Sequence, residues 1–433
     1  MVTGIIITTY NRHEYLWHCF ESLKRAYLTG CVVVIVDDCS TDYKTRNLLA
    51  DFQIPGVQVT KIWNTSNKGV RESLRIGIES CFSECDYFMV LDGDAMVRHD
   101  FVQKITELPK DSISTGFHCT TRNRDGSERH KIAGETDGYY LKSSVGGINM
   151  FFSKQTYLTH VEPSLLKQGN WDHNSCLSLQ TALKFVYCVK ESVVQHIGVV
   201  SAMGHTGVEA PDTADDFYLY DLPNVTLIGA APNDYQGLRK SMERCTKHIR
   251  FGEVIMLTSE GEEGTTYIPP IRNKDEYSLF CLRKLTDYVK TDYMIIFQPD
   301  GTIVNPCAWD NRFLEYDYIG AVWNFYNDNH RVGNGGFSLR SKKLMNITKN
   351  DPNIIPRNEG CFYYAEDHQI ARLYRNYLES RYDIKFAPEE VANRFSLENY
   401  KVPFPNNKYN GSFGIHGKGL IDYRDAYIKD PNI

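Results

Sequence analysis

The chain has 433 residues, more than one hydrophobic core ordinarily serves, so two domains, or at most three, are expected. With 42% hydrophobic and 24% charged residues the composition is globular, and a net charge of -6 leaves no electrostatic footprint for general binding to nucleic acid or anionic membrane. Twelve cysteines without a C-x-x-C pair point to reduced thiols rather than disulfides or zinc, and no apolar stretch approaches a membrane span, so a soluble, cytoplasmic protein is expected.

Residues 1 to about 205 alternate β-branched runs with amphipathic stretches, the pattern of a mostly parallel sheet flanked by helices. Strands are predicted at Ile5 to Thr9, Val32 to Val36, Val57 to Ile62 and Tyr87 to Leu91, and helices at Glu14 to Tyr27 and Val70 to Cys81. Ligands of open α/β sheets gather beyond the carboxyl ends of the strands, and the polar clusters fall there. They are Thr8-Thr9-Tyr10-Asn11-Arg12, Asp37-Asp38-Cys39-Ser40-Thr41-Asp42 and Asp92-Gly93-Asp94. An acidic turn at the tip of a buried strand, with a glycine permitting close approach, suits a divalent cation carrying phosphates. Further on, residues 118 to 143 include Arg122, Arg124, Arg129 and Lys131 and read as a flexible polar loop. Tyr10 and Trp63 are aromatic, with core packing as the default reading.

The ordered motifs T-x-Y-N-R, V-D-D-x-S-x-D, N-x-G and D-x-D resemble the family 2 glycosyltransferases of GT-A fold, over roughly the first 200 residues. That resemblance implies inverting transfer from a nucleotide sugar, with Thr9, Tyr10, Asn11, Asp38, Asn67 and Asp92 toward the donor and Asp94 toward a metal. The metal would be Mn²⁺ or Mg²⁺, which take hard oxygen ligands and neutralise a leaving diphosphate. His196 resembles the histidine that closes the metal site in several GT-A enzymes, and the other reading is a structural histidine. Asp172 is the candidate base, with a helix N-cap as the alternative. Gly146, Gly147 and Trp171 are expected beside the acceptor.

Residues 205 to 224 are rich in Gly, Asp, Ala and Pro, so a linker is read at 211–224 between domains at 1–210 and 225–433. Strand and helix then alternate again: Val225 to Gly229, Asp234 to Ile249, Val254 to Thr258, Glu276 to Val289, and Tyr293 to Phe297 before Gln298-Pro299-Asp300-Gly301. The segments Tyr316 to Trp323, Val332 to Ser341, Glu366-Asp367 and Ser412 to Gly417 resemble a domain family of formerly unknown function thought to be glycosyltransferase-like. The expected fold class is therefore α/β, two GT-A-like, Rossmann-related domains in tandem. The second site draws on Asp300 and His416 for metal, Glu366 or Asp367 as base, and Asn334, Gly335 and Gly336 beside the acceptor.

The expected function is a bifunctional, metal-dependent glycosyltransferase using nucleotide-sugar donors, UDP-sugars above all, and a glycan, glycoprotein or other hydroxyl acceptor. Two alternatives stand beside it. The second half is a glycan- or acceptor-binding module, since Asp300 lacks a partner carboxylate, or the acceptor is a hydroxymethylated base in viral DNA, which the basic loop favours and the net charge opposes.

Overall fold

The computed structural model describes residues 2–123, 125–198, 212–357, 365–398 and 411–417. Contacts divide the chain into two compact units, Met1–Leu219 and Tyr220–Ile433. Arg124 of the basic segment and residues 205–211, where the Gly-, Asp-, Ala- and Pro-rich stretch begins, lie outside the described residues.

The first unit contains β1 (Thr3–Thr9), β2 (Cys31–Asp37), β3 (Gln58–Trp63), β4 (Tyr87–Asp92), β5 (Ala95–Val97), β6 (Ser114–Thr115), β7 (Ile132–Glu135), β8 (Tyr139–Lys142), β9 (Asn149–Ser153), β10 (Val186–Val189) and β11 (Val194–His196). Nine of these form one sheet, ordered β3-β2-β1-β4-β9-β6-β10-β8-β7, in which β1 to β4 run parallel and β9 lies antiparallel to β4. Ile5 to Ile7, Val33 to Val36 and Phe88 to Leu91 are all buried. Such unbroken apolar runs, without alternation, are what strands covered on both faces require. The helix Val70–Cys81 sits so close to β1 that a Cβ at Gly77 would stand 2.6 Å from the Ile6 methyl.

The loops after β1 and β2 are tied by the polar clusters. Asn11 and Arg12 have left-handed backbones, with φ of 54° and 67°, and turn the chain from β1 into the helix His13–Leu23. Asparagine adopts that conformation more readily than most residues. Asn11 Oδ1 accepts from the Thr41 and Asp42 N–H groups, and its own N–H donates to Ser40 Oγ. Asp42 caps the helix Tyr43–Asp51 through the N–H groups of Lys44 and Thr45.

The second unit contains β12 (Tyr220–Ala230), β13 (Ile249–Thr258), β14 (Thr266–Tyr267), β15 (Tyr293–Phe297), β16 (Gly301–Ile303), β17 (Tyr318–Ile319), β18 (Phe337–Ser341), β19 (Ser396–Glu398) and β20 (Gly414–His416). Its main sheet is ordered β14-β13-β12-β15-β18-β17, with β12 to β15 parallel and β18 antiparallel to β15. The first unit has the same arrangement: third, second, first and fourth strands parallel, then an antiparallel neighbour. Pro223, which lacks an N–H, lies where the β12 register shifts between Leu222 and Thr226.

Each unit adds a small sheet just past its acidic turn. In the first, β5 pairs antiparallel with β11; in the second, β16 pairs antiparallel with β20, which also lies parallel to β19.

Several elements differ from expectation. In the second unit the helix expected over Glu276 to Val289 spans Lys274–Arg283 with a 3₁₀ turn at Leu285–Tyr288, and the one expected over Asp234 to Ile249 spans Tyr235–Thr246, since Ile249 opens β13. The first helix ends at Leu23 rather than Tyr27, because the Tyr27 N–H is taken by the His99 carbonyl. Helix Tyr43–Asp51 has only Thr45 and Leu49 buried, too little periodicity to register in sequence. Residues 118 to 143, read as flexible loop, contain the β7–β8 hairpin, which joins the main sheet through β10.

Candidate active sites

Asp92 ends β4 and Asp94 stands just beyond it, its side chain nearly buried. Asp94 Oδ2 contacts Arg12 Nη1 at 2.5 Å and His196 Nε2 at 3.3 Å. His196 reaches this point because β11 pairs with β5 in a register that sets His196 opposite Ala95. The Ile197 N–H then donates to the Asp94 carbonyl at 2.9 Å. His196 Nδ1 lies 3.0 Å from the Asp212 carbonyl, which can only accept, so Nδ1 carries a proton and Nε2 faces Asp94. A second-sphere acceptor of this kind orients histidine ligands of metals.

Burial raises the Asp92 carboxyl above its ordinary range, and the Asp94 charge adds to this against the pull of His196. Burial works to raise Asp94 as well, but the His196 hydrogen bond and charge and the Arg12 charge outweigh it and hold Asp94 low. For His196 burial acts to lower the pKa, and the Asp94 hydrogen bond and charge raise it overall. Two carboxylates and an imidazole share this place, and the donors fit Mn²⁺ or Mg²⁺. Gly198 keeps it open, since a Cβ there would stand 2.1 Å from Asp94 Oδ2.

Asp172 lies in the first turn of the helix Trp171–Thr181, whose N-cap is Asn170, so the capping alternative for Asp172 does not apply. Its Oδ2 accepts from the Gly147 N–H at 3.0 Å, and its charge is felt at Asp92. Gly147 rests on Trp171, and a Cβ there would lie 3.0 Å from the indole. Trp171 is buried, which makes it the floor of this loop rather than an exposed sugar platform. Gly146 faces Asp212 and His130 instead.

Among the expected donor residues, Asp38 is committed to the protein. Its carboxylate accepts from the N–H groups of Lys68 and Gly69 and from Asn64 Nδ2, at 2.7 to 2.9 Å. It thereby holds the turn on which Asn67 is exposed. Thr9 is buried, and its carbonyl accepts from the Asp38 N–H. Tyr10 and Trp63 are 37% and 42% exposed, so core packing does not account for them.

The second unit repeats the construction. Asp300 follows β15, β16 begins at Gly301, and Gly301 stands opposite His416 on β20. The Gly417 N–H donates to the Asp300 carbonyl at 3.0 Å, as Ile197 does to Asp94. His416 Nε2 lies 3.6 Å from Asp300 Oδ1 and 3.3 Å from Gln298 Oε1. Gln298 occupies the place of Asp92, so this site has one carboxylate fewer in its acidic turn. Glu398, a residue that sequence reading missed, approaches His416 Nδ1 at 3.3 Å. No spacing in the sequence marks it, since only the pairing of β19 with β20 sets it opposite His416.

The loop before β18 is fixed by Asn334, which is buried with a left-handed backbone, φ 68°. Its Oδ1 accepts from the Gly336 N–H, and its Nδ2 lies 3.0 Å from His416 Nδ1. A Cβ at Gly335 would stand 2.1 Å from Glu366 Oε1, and one at Gly336 2.0 Å from His416 Nε2. Glu366 is held by the fully buried Arg340 at 2.8 Å. Asp367 is pushed up to about 7, by burial first and then by the charges of Glu366 and Glu398. Of the two expected bases, Glu366 is thus paired with a cation while Asp367 is poised near neutrality.

In the basic 118–143 segment, Arg129 is engaged with Asp212 at 2.5 Å and Arg122 donates to the Gly126 carbonyl. Among the described residues no helix is long and apolar enough to cross a membrane, and none of the described cysteines forms a disulfide.

Comparison with known families gives two matches: glycosyl transferase family 2 over residues 4–160, and a protein family of unknown function, DUF5672, over residues 266–416. The chain carries a glycosyl transferase family 2 domain in its N-terminal part and a DUF5672 domain in its C-terminal part. A curated relative, an uncharacterized glycosyltransferase of Haemophilus influenzae, is 30% identical over 114 residues, covering 26% of this chain and 36% of the relative. The chain thus spans little more than a third of that relative's length. Among solved structures, S. aureus TarS 1-349 in complex with UDP-GlcNAc covers 45% of this chain and 58% of its own at 15% identity and TM-score 0.35. GalNAc-T7 with UDP, GalNAc and Mn²⁺ covers 45% and 44% at 14% identity and TM-score 0.38.

Proposed function

We propose that the chain is a metal-dependent glycosyltransferase with two nucleotide-sugar sites, the first inverting. The observation that carries this reading is the repeated rung: an aspartate past the fourth parallel strand and a histidine delivered opposite the next residue, in both units. In the first unit Asp94 and His196 would hold Mn²⁺ or Mg²⁺, with Asp92 beside them; the ion supplies charge neutralisation for the departing diphosphate. Asp172 accepts the proton of the acceptor hydroxyl as it attacks the anomeric carbon, and the Gly147 N–H fixes the carboxylate for that task. Exposed Tyr10 and Trp63 offer ring faces to a nucleobase.

In the second unit Asp300 and His416 would hold the metal, and Asp367 is the base. Gln298 favours a second reading, in which this unit binds the acceptor glycan without turning over a donor. The test uses the full-length chain with a panel of UDP- and GDP-sugars and Mn²⁺, scoring nucleoside diphosphate release in Asp94→Ala, Asp300→Ala and the double variant. Two sites predict that each single change removes a separable part of donor turnover. Loss of all turnover in Asp94→Ala, with none lost in Asp300→Ala, would favour the binding module. No turnover of any donor by the wild type would overturn both.

A further inference from the structure

Beside the first donor site lies a second cluster of metal-ligating side chains that sugar transfer leaves unused. Cys119, His130 and Asp212 bring a thiol, a ring nitrogen and a carboxylate oxygen within 4.8 Å of one another. His130 Nδ1 is 3.0 Å from Ser144 Oγ, which leaves Nε2 facing Asp212 Oδ2 at 3.6 Å. That Nε2 is buried and has no hydrogen-bond partner among the described residues. The other Asp212 oxygen is taken by Arg129. Gly146 borders the pair, and a Cβ there would lie in ordinary contact, 3.4 Å from Asp212 Oδ2 and 3.8 Å from His130 Nε2.

The donor types discriminate between cations. Mn²⁺ and Mg²⁺ suit the oxygen-rich set at Asp92 and Asp94, whereas a thiolate with an imidazole and one carboxylate suits zinc. We propose that Cys119, His130 and Asp212 form a zinc site with three protein ligands and one open position. Zinc–ligand bonds of about 2.0 to 2.3 Å set tetrahedral ligands closer than 4.8 Å, so the cluster draws in by roughly 1 Å on binding. Binding replaces the Cys119 thiol proton, which leaves to solvent, and the thiolate and carboxylate then balance the charge of the ion. Burial, then the Asp212 charge, holds the free thiol protonated, so zinc binding weakens as pH falls. The Ser144 hydroxyl orients His130 as second-sphere groups do elsewhere. Because the Asp212 carbonyl holds His196 Nδ1, zinc here also fixes the acceptor that orients the donor-site histidine.

The test strips full-length protein with chelator and titrates it with Zn²⁺ and Co²⁺ in an Asp92→Asn, Asp94→Asn background, which removes the neighbouring carboxylates and leaves the His196–Asp212 contact in place. One equivalent of zinc is expected to be retained through gel filtration. The Co²⁺ form is expected to show a thiolate-to-cobalt charge-transfer band that disappears in Cys119→Ser and persists in Cys19→Ala, the other thiol near the acidic turn. His130→Gln is expected to weaken zinc at least tenfold with the metal-free melting temperature unchanged, which keeps the test informative should Cys119→Ser fail to fold. Absence of retained zinc, a band surviving Cys119→Ser, or unchanged affinity in His130→Gln overturns the proposal and leaves an Arg129–Asp212–His130 ion-pair network.

Discussion

A methyl group at Gly336 would stand 2.0 Å from His416 Nε2, and one at Gly198 2.1 Å from Asp94 Oδ2. Gly336→Ala and Gly198→Ala are expected to displace those ligands and weaken Mn²⁺ about tenfold or more, each at its own unit, as loss of ligand positioning does elsewhere. Isothermal titration checks this, and unchanged affinity would refute it. Asp94→Ala is expected to remove metal-dependent donor binding, while Asp172→Asn is expected to keep the donor and lower kcat by about 10² to 10⁴, the usual range for a general base. Wild-type turnover in Asp172→Asn would end its role as base. Asp367 titrates in a physiological window. Its folded pKa is raised to about 7, so the carboxyl is protonated and useless as a base below that value and competent above it. Transfer at the second unit is expected to rise about tenfold per pH unit and level off above about 7, measured as kcat/KM in the Asp94→Ala background. The same raised pKa means that the stability it contributes is present at acid pH and lost as pH rises toward 7.

At the level of elements, the four-strand parallel cores were legible because strands buried on both faces read as unbroken apolar runs. Tyr293 to Phe297 was predicted to the residue, as was the helix from Val70 to Cys81. Short pieces were not legible. Strands of two or three residues such as β5, β11, β16 and β20 are stabilised by a partner distant in sequence, which periodicity cannot register. The motif residues were found, but not their division of labour. Asp38 and Asn11 spend their polar atoms on turns, and Trp171 is a floor. Glu398 carried no spacing signal at all, because only β19 pairing beside β20 brings it to His416. Register governs the site in a testable way. Duplicating Gln195 within β11 moves His196 to the opposite face, so it is expected to abolish Mn²⁺ binding at the first unit while circular dichroism stays unchanged. Retained binding would show that the rung does not position the ligand.

As a whole molecule the chain is two units with separate cores, one packed around Ile6, Val34, Phe88 and Phe152, the other around Leu227, Ile295, Phe337 and Leu339. Each is expected to respond to its own ligand. Mn²⁺ with UDP at 100 times Kd would stabilise a binding unit by about 2.7 kcal/mol, and Asp94→Ala should cancel that shift for the first unit alone in calorimetry. Chelator should reverse it, and a shift surviving Asp94→Ala in the first transition would count against the site. The rung that joins Asp94 to His196 spans 102 residues of chain, and backbone hydrogen bonds close it whatever lies between. The interval tolerates changes of length in its surface turns, provided that β9, which pairs with β4, and the helix that carries Asp172 keep their places. The turn of the β7–β8 hairpin, at the edge of the main sheet, is the place where added or removed residues disturb the fewest strand pairings.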